Sequence, residues 1–170
     1  MFNQLYEQLK GEDIFKPKTE EEVVQDILIQ AKATKNKDGS YNTERDIDLS
    51  RLNLTKIPVK FRYVGGNFYC DDNKLISLEG APEEVGEDFW CFRNELTSLK
   101  DAPKEVGGTF DCDFNYLTSL EGAPREVGRN FYCNGNKLTT LEGIGEVRGS
   151  ICCEGNSVSG DKLLKTIGRL

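Results

Sequence analysis

The sequence predicts an α/β solenoid, with a parallel β-sheet on the concave face, 21-residue coils, a helical N-terminal cap and a short C-terminal capping helix. Three observations predict it. The series Phe68-x-Cys70-x-x-Asn73-x-Leu75-x-x-Leu78 returns as Phe89, Cys91, Asn94, Leu96 and Leu99, then as Phe110, Cys112, Asn115, Leu117 and Leu120, and again as Phe131, Cys133, Asn136, Leu138 and Leu141. The spacing is 21 residues each time, and self-similarity at a fixed period of about 20–50 residues is the signature of stacked coils. The filler repeats as well, since Leu78 to Pro82 (Leu-Glu-Gly-Ala-Pro) returns at Leu120 to Pro124.

Residues 1–45 are expected to cap the N-terminal end, because a bare terminal coil exposes its core. Phe2 to Lys10 suits a short amphipathic helix. Thr19-Glu20-Glu21-Glu22 has capping-box spacing ahead of the helix-forming run Val23 to Gln30. Lys32 to Thr43 is polar, with Lys, Asn and Gly, and is expected to be a mobile loop.

The solenoid is expected to span 46–158 in about six coils, roughly 25–30 Å at the usual strand spacing. Its first coil, Ile47 to Pro58, keeps the apolar positions but lacks the Cys and shifts the Asn to Asn53. In the regular coils, Phe and Cys are two residues apart, which puts both on one face of a strand. The segment after the last Leu, such as Leu99 to Gly108, is too short and too rich in Pro and Gly for a full helix. An extended or turn-like convex side follows, with Val64, Val85, Val106 and Val127 pointing inward. Gly65, Gly86, Gly107 and Gly128 are expected to supply unusual dihedrals where the chain re-enters the strand. Leu141 to Val147 is one residue short and leads into Ile151, Cys153, Asn156 and Val158. Residues 159–170, with Leu163-Leu164-Lys165-Thr166-Ile167, are expected to form the C-terminal capping helix.

The coil pattern resembles the leucine-rich repeat, L-x-x-L-x-L-x-x-N-x-L, with Phe and Cys at the strand leucines. The Asn has a physical task at that position. Its amide both donates and accepts, so it can satisfy backbone groups where the chain bends out of the strand, and stacking then makes a ladder of Asn. The six cysteines do not suggest a disulfide framework. Cys70, Cys91, Cys112 and Cys133 occupy one slot of successive coils, where a small free thiol packs as an apolar group in a reducing compartment.

Composition excludes several function classes. A net charge of −7 and a pI of 4.8 oppose nucleic-acid binding, which needs a basic patch, and suit a protein partner with a basic surface or simply solubility. No apolar run is long enough for a transmembrane helix, and the N-terminus lacks the basic and apolar regions of a signal peptide. A cytoplasmic location without membrane attachment is expected. The chain has no histidine, so Ser-His-Asp and Cys-His nucleophile systems and the commonest metal ligand are missing. No phosphate-binding or dinucleotide fingerprint occurs. The expectation is a non-enzymatic chain without metal or cofactor. Asp111 and Asp113 flank Cys112 and share a strand face, but a short solenoid offers them no cleft. Cys152 faces outward beside Cys153, with no basic neighbour to activate it.

The outward strand positions form columns across the sheet. The residue between Phe and Cys reads Asp48, Tyr69, Trp90, Asp111, Tyr132, Cys152. The residue after the Cys reads Ser50, Asp71, Phe92, Asp113, Asn134, Glu154, and the next reads Arg51, Asp72, Arg93, Phe114, Gly135, Gly155. Five aromatics, including the sole tryptophan, therefore share one face with Arg93 and a set of acids that adds Asp88. Large apolar groups facing water suit an interface hot spot. Cross-strand aromatic pairs also stabilise a sheet, and stacking platforms for single-stranded nucleic acid use aromatics, but there the surrounding charge has the opposite sign. The expected partner-binding residues are Tyr69, Asp71, Asp72, Asp88, Trp90, Phe92, Arg93, Asp111, Asp113, Phe114 and Tyr132.

The unit L-x-S-L-E-G-A-P-x-E-V-G-x-x-F-x-C-x-x-N-x-L, over about Ile47 to Val158, resembles the short leucine-rich repeats of tailed, T4-like bacteriophages. It is similar, more loosely, to the repeats of bacterial effector proteins, without their appended catalytic domain. The resemblance implies a small binding module, phage-encoded and acting in the host cytoplasm on a host protein, for example as an inhibitor of a bacterial defence system. A structural or self-assembling virion-associated component is the alternative, and the oligomeric state is left open.

Overall fold

A strict 21-residue repeat stacks every residue on its counterpart one coil away, and the computed structural model, which describes residues 17–158, shows that stacking as two parallel sheets. The front sheet consists of β3 (Ile47–Asp48), β5 (Phe68–Tyr69), β7 (Phe89–Trp90), β9 (Phe110–Asp111), β11 (Phe131–Tyr132) and β13 (Ile151–Cys152). The back sheet consists of β1 (Thr34–Lys35), β2 (Tyr41–Thr43), β4 (Phe61–Val64), β6 (Glu84–Val85), β8 (Glu105–Val106), β10 (Glu126–Val127) and β12 (Glu146–Val147). Six front-sheet strands bound five full turns, and Phe68, Phe89 and Phe110 pair in register. The last turn is one residue short, as the sequence predicts, with Phe131 opposite Ile151.

The expected single sheet with a turn-like convex side is corrected by this arrangement. Each Glu-Val dipeptide pairs with its counterparts in the neighbouring coils, because a segment too short for a helical turn still satisfies its backbone by stacking. The described part is therefore a β-solenoid rather than an α/β one. Among the described residues the only helix is α1 (Glu20–Gln30), which precedes the coils.

The capping box forms as expected. Thr19 Oγ1 accepts from the Glu22 amide at 3.2 Å, and the Thr19 amide donates to Glu22 Oε2 at 2.8 Å. Val24, Leu28 and Ala31 are buried in the same core as Ile47 and Leu49. The mobile loop expected over Lys32–Thr43 is instead a hairpin. The Asn36 amide donates to the Ser40 carbonyl, Gly39 takes a φ of +86°, and Asp38 accepts from the Ser40 amide and hydroxyl. Its second strand, β2, pairs in parallel with β4, so the solenoid begins before the expected boundary at residue 46. The helices expected over Phe2–Lys10 and within 159–170 lie outside the described residues.

Between the sheets, Phe68, Phe89, Phe110 and Phe131 stack with ring centroids 5.5, 5.4 and 5.1 Å apart. Cys70, Cys91, Cys112 and Cys133 form the expected inward column, free and fully buried. The Asn ladder is also as expected. Asn94 Oδ1 accepts from the Leu75 amide of the preceding coil at 2.9 Å, while its Nδ2 donates to the carbonyls of Cys70 and Cys91. Asn73, Asn115, Asn136 and Asn156 make the same bridges. Each Asn thus joins two coils at a bend, and supplies the partner that the leucine amide two residues further on in the preceding coil does not find in a backbone carbonyl.

The glycines work differently from expectation. Gly86, Gly107 and Gly128 do not take a positive φ; instead, a Cβ on any of them would lie 2.1 Å from the carbonyl oxygen of the glycine one coil earlier. They are small because the coils approach closely there. Left-handed residues lie instead at the strand exit, in the column Arg51, Asp72, Arg93, Phe114, Gly135 and Gly155, with φ between 50° and 68°, and at the turns, in the column Gly80, Asp101, Gly122 and Gly143.

Replacing Asn115 with Ala should leave the Leu96 amide without its partner and take one of two asparagine donors from each of the Cys91 and Cys112 carbonyls, at about 1–3 kcal/mol. Urea unfolding measures this. An Asn115→Ala variant as stable as wild type would contradict the ladder's role.

Candidate functional site

The outer face of the front sheet is built by the same register that builds its core. In-register pairing puts Tyr69, Trp90, Asp111 and Tyr132 side by side on successive strands. Two residues further on, the bonds from the Asp72 amide to the Phe92 carbonyl and from the Arg93 amide to the Asp113 carbonyl continue the alignment. Asp71, Phe92 and Asp113 therefore form a second column beside the first.

The aromatics touch one another. Tyr69 and Trp90 have ring centroids 4.6 Å apart, and Trp90 and Phe92 6.1 Å. The Arg93 guanidinium lies 6.0 Å from the ring centroids of both Phe92 and Phe114. Asp72 pairs with Arg51 at 3.4 Å and with Arg93 at 3.6 Å. The structure thus gathers Tyr69, Asp71, Asp72, Trp90, Phe92, Arg93, Asp111, Asp113 and Phe114 into one patch. Two expected residues stand apart. Tyr132 is separated from Trp90 by Asp111, and its hydroxyl accepts from Asn130 Nδ2. Asp88 lies at the strand entrance, where Oδ1 accepts from the Thr109 amide at 2.7 Å in a second, shorter ladder with Asp46 and Asn67. Asp88 is therefore committed to coil stacking.

The carboxylates differ in their surroundings. Asp113 accepts from the Asn134 backbone and side-chain amides. Among the described residues Asp111 accepts only from the Asp113 amide, at 2.9 Å, and it lies half-buried. Burial, opposed by that hydrogen bond and helped by the negative charge of Asp113, pushes the Asp111 carboxyl up to about 7. Asp71 is 4% exposed, and burial also raises its carboxyl above the usual range. Tyr69 is raised by burial and by the surrounding Asp46, Asp88, Asp48 and Asp71. The face is apolar at its centre and negative around it.

Two features of the patch escape a reading of strand columns. Gly135 is needed for packing as well as for its φ of 62°: a Cβ there would meet the Phe114 ring at 2.6 Å, so Phe114 lies over it. Arg51 joins the site through Asp72, and the Arg-Asp-Arg alternation at 21-residue spacing carries that signal in the sequence.

Among the described residues no group of three or more His, Cys, Asp or Glu side chains could hold a metal ion. Burial pushes the Cys133 thiol up to about 12 and raises Cys70, Cys91 and Cys112 as well, which leaves them protonated and unreactive. A depression of about 690 Å³ at the Gly-Ala-Pro turns mixes Lys56, Lys60 and Lys104 with Glu79 and Glu83 and has no aromatic lining.

Asp111 gives the patch a measurable pH signature. Its folded-state carboxyl, at about 7, lies above the ordinary value of 3.8 that it takes in the unfolded chain. The unfolded state therefore ionises first, and stability is lost as pH rises from about 4 to about 7, then levels off. Asp111→Asn should leave the melting temperature nearly unchanged at pH 4 and raise it at pH 8. An equal effect at both pH values would contradict the burial of this carboxylate. No protein-family model, curated protein or solved structure matches this chain, so the reading of the patch follows from its own residues.

Proposed function

We propose that the chain is a non-enzymatic protein-binding module whose docking surface is the outer face of the front sheet. The observation that supports this most is the backbone cost at Arg93 and Phe114. Both are left-handed, at φ 51° and 52°, in a slot that holds Gly135 and Gly155 in the last two coils. A non-glycine residue there costs about 1–2 kcal/mol. The Arg93 pair with Asp72 is exposed and contributes at most about 1 kcal/mol, and its stacking on Phe92 and Phe114 adds about 0.5–1 kcal/mol. Stability alone therefore gains almost nothing from these side chains. Phe114 is 55% exposed, and an exposed aromatic on a strained backbone suits a contact with another molecule.

The partner is a protein with a basic surface, given the acids that ring the aromatics and the net charge of −7. The same charge opposes a nucleic-acid partner, and no membrane contact is part of the reading. The resemblance of the repeat to those of tailed bacteriophages extends it. The module would be phage-encoded, would act in the host cytoplasm, and would inhibit or redirect a host protein, with a defence protein as one such target. The finer identity of the coils as leucine-rich repeats belongs to this same proposal.

The test compares wild type with two variants, immobilised as full chains in bacterial lysate. Trp90→Ala should lose the captured partner by about thirtyfold, the usual cost of removing a buried aromatic anchor, with circular dichroism unchanged. Phe114→Gly relieves the strained φ and should melt no lower than wild type while also capturing less. Equal capture by wild type and both variants would overturn the reading. A mass that rises with protein concentration in the absence of any captured protein would favour a self-assembling component instead.

A further inference from the structure

The patch contains a countercharge that is missing. Asp71 is 4% exposed, yet among the described residues its side chain takes part in no hydrogen bond with another residue and no ion pair. Arg51 acts on it only at longer range and pairs with Asp72 instead. Asp111 likewise has no cation within ion-pair distance among the described residues, and its one hydrogen bond comes from a neutral amide. A partly desolvated carboxylate without a cation is costly to keep. Both flank the pair Trp90 and Phe92, with Asp111 next to Trp90 on β9 and Asp71 next to Phe92 on the strand of Tyr69.

Arg93 shows which ligand this chemistry takes. Its guanidinium already lies over Phe92 and Phe114 and pairs with Asp72, so one half of the patch is filled from within. The other half repeats the arrangement, with Tyr69 and Trp90 as the aromatic floor and Asp71 and Asp111 as the acids, but has no cation of its own. A planar guanidinium stacks on an indole and pairs with a carboxylate through paired N–H donors, which an ammonium cannot do as well.

We propose that Tyr69, Trp90, Asp71 and Asp111 form an arginine-binding subsite, in which a partner's guanidinium stacks on Trp90 and pairs with Asp111. This rests on reading the face as protein-binding and names the side chain that the partner must present. Binding supplies the countercharge that the folded chain lacks. It also favours the ionised form of Asp111, whose carboxyl burial holds up at about 7, so affinity should rise between pH 6 and 8. The groups facing Asp111 are Asp113 on its own strand and Asp71, Trp90 and Tyr132 on the neighbouring ones; the negative charges of Asp113 and Asp71 help to hold its carboxyl up.

Trp90 is the sole tryptophan, so its emission reports on the subsite directly. The full chain is titrated with tetra-arginine amide at pH 8, with tetra-lysine amide as the comparison. The expected result is a saturable change in Trp90 emission, at lower concentrations of tetra-arginine than of tetra-lysine. Asp111→Asn should weaken it about tenfold, as loss of a charge-assisted pair does. Glu84→Gln removes the same charge from the exposed side of the back sheet and should change it less than twofold. Equal weakening by the two variants would mean diffuse electrostatic attraction and would overturn the subsite. So would an unchanged Trp90 emission, or an emission change that follows protein concentration without peptide, which would assign the face to a second copy of the chain. If tetra-arginine fails to bind while Trp90→Ala still loses a captured partner, the docking face stands and the arginine subsite alone falls.

Discussion

Everything in this chain depends on the close, in-register stacking of one coil on the next. Two side-chain choices enforce it. The glycines at 86, 107 and 128 let backbones approach to a distance that any Cβ would forbid. The asparagines at 73, 94, 115, 136 and 156 add side-chain bonds between coils at the bend, to leucine amides that no backbone carbonyl reaches. Both act between coils rather than within one. A single coil has almost no stability of its own, since each buries its Phe, Cys and Leu only against its neighbours.

That register has a consequence on the outside. The same 21-residue pitch that stacks Phe68 on Phe89 also brings Tyr69 against Trp90 and sets Asp111 beside it. The interior columns are uniform and the exterior ones are not. Uniformity inside is what packing requires, because identical rings and thiols stack at one spacing. Outside, water imposes no such demand, and one column runs from Tyr69 to Trp90 to Asp111. The left-handed backbone at Arg93 and Phe114, the buried Asp71 and the half-buried Asp111 lie on that same irregular strip. Costs of this kind gathered at one place are the usual mark of a functional surface.

Much of this was legible in the sequence, and the failures have physical causes. Period, strand positions, the Cys column and the Asn ladder follow directly from repetition, since stacking leaves each residue type only one environment. The back sheet was not legible, because a two-residue Glu-Val strand has no alternation to read and is defined only by its neighbours. The hairpin over residues 34–43 was missed for a related reason: Lys, Asn and Gly indicate a turn, but the pairing of Tyr41–Thr43 with β4 depends on a residue 20 places away. Repetition of Gly65, Gly86, Gly107 and Gly128 suggests dihedral freedom, whereas the reason for glycine there is close contact with the preceding coil. For the site, the columns located the aromatic patch and its acids. They did not show that Asp88 is tied into a ladder, nor that Asp71 is buried, because both depend on which oxygen meets which amide.

Native-state hydrogen exchange tests the stacking most directly. The amides of Leu75, Leu96 and Leu117 donate to asparagine side chains of the next coil rather than to any backbone carbonyl. If those side chains hold the coils together, these three amides exchange only through unfolding of the whole solenoid, with protection equal to that of the strand amides of Cys91 and Cys112. Exchange of the three leucine amides at the rate of an unstructured peptide, while the strand amides stay protected, would contradict the account.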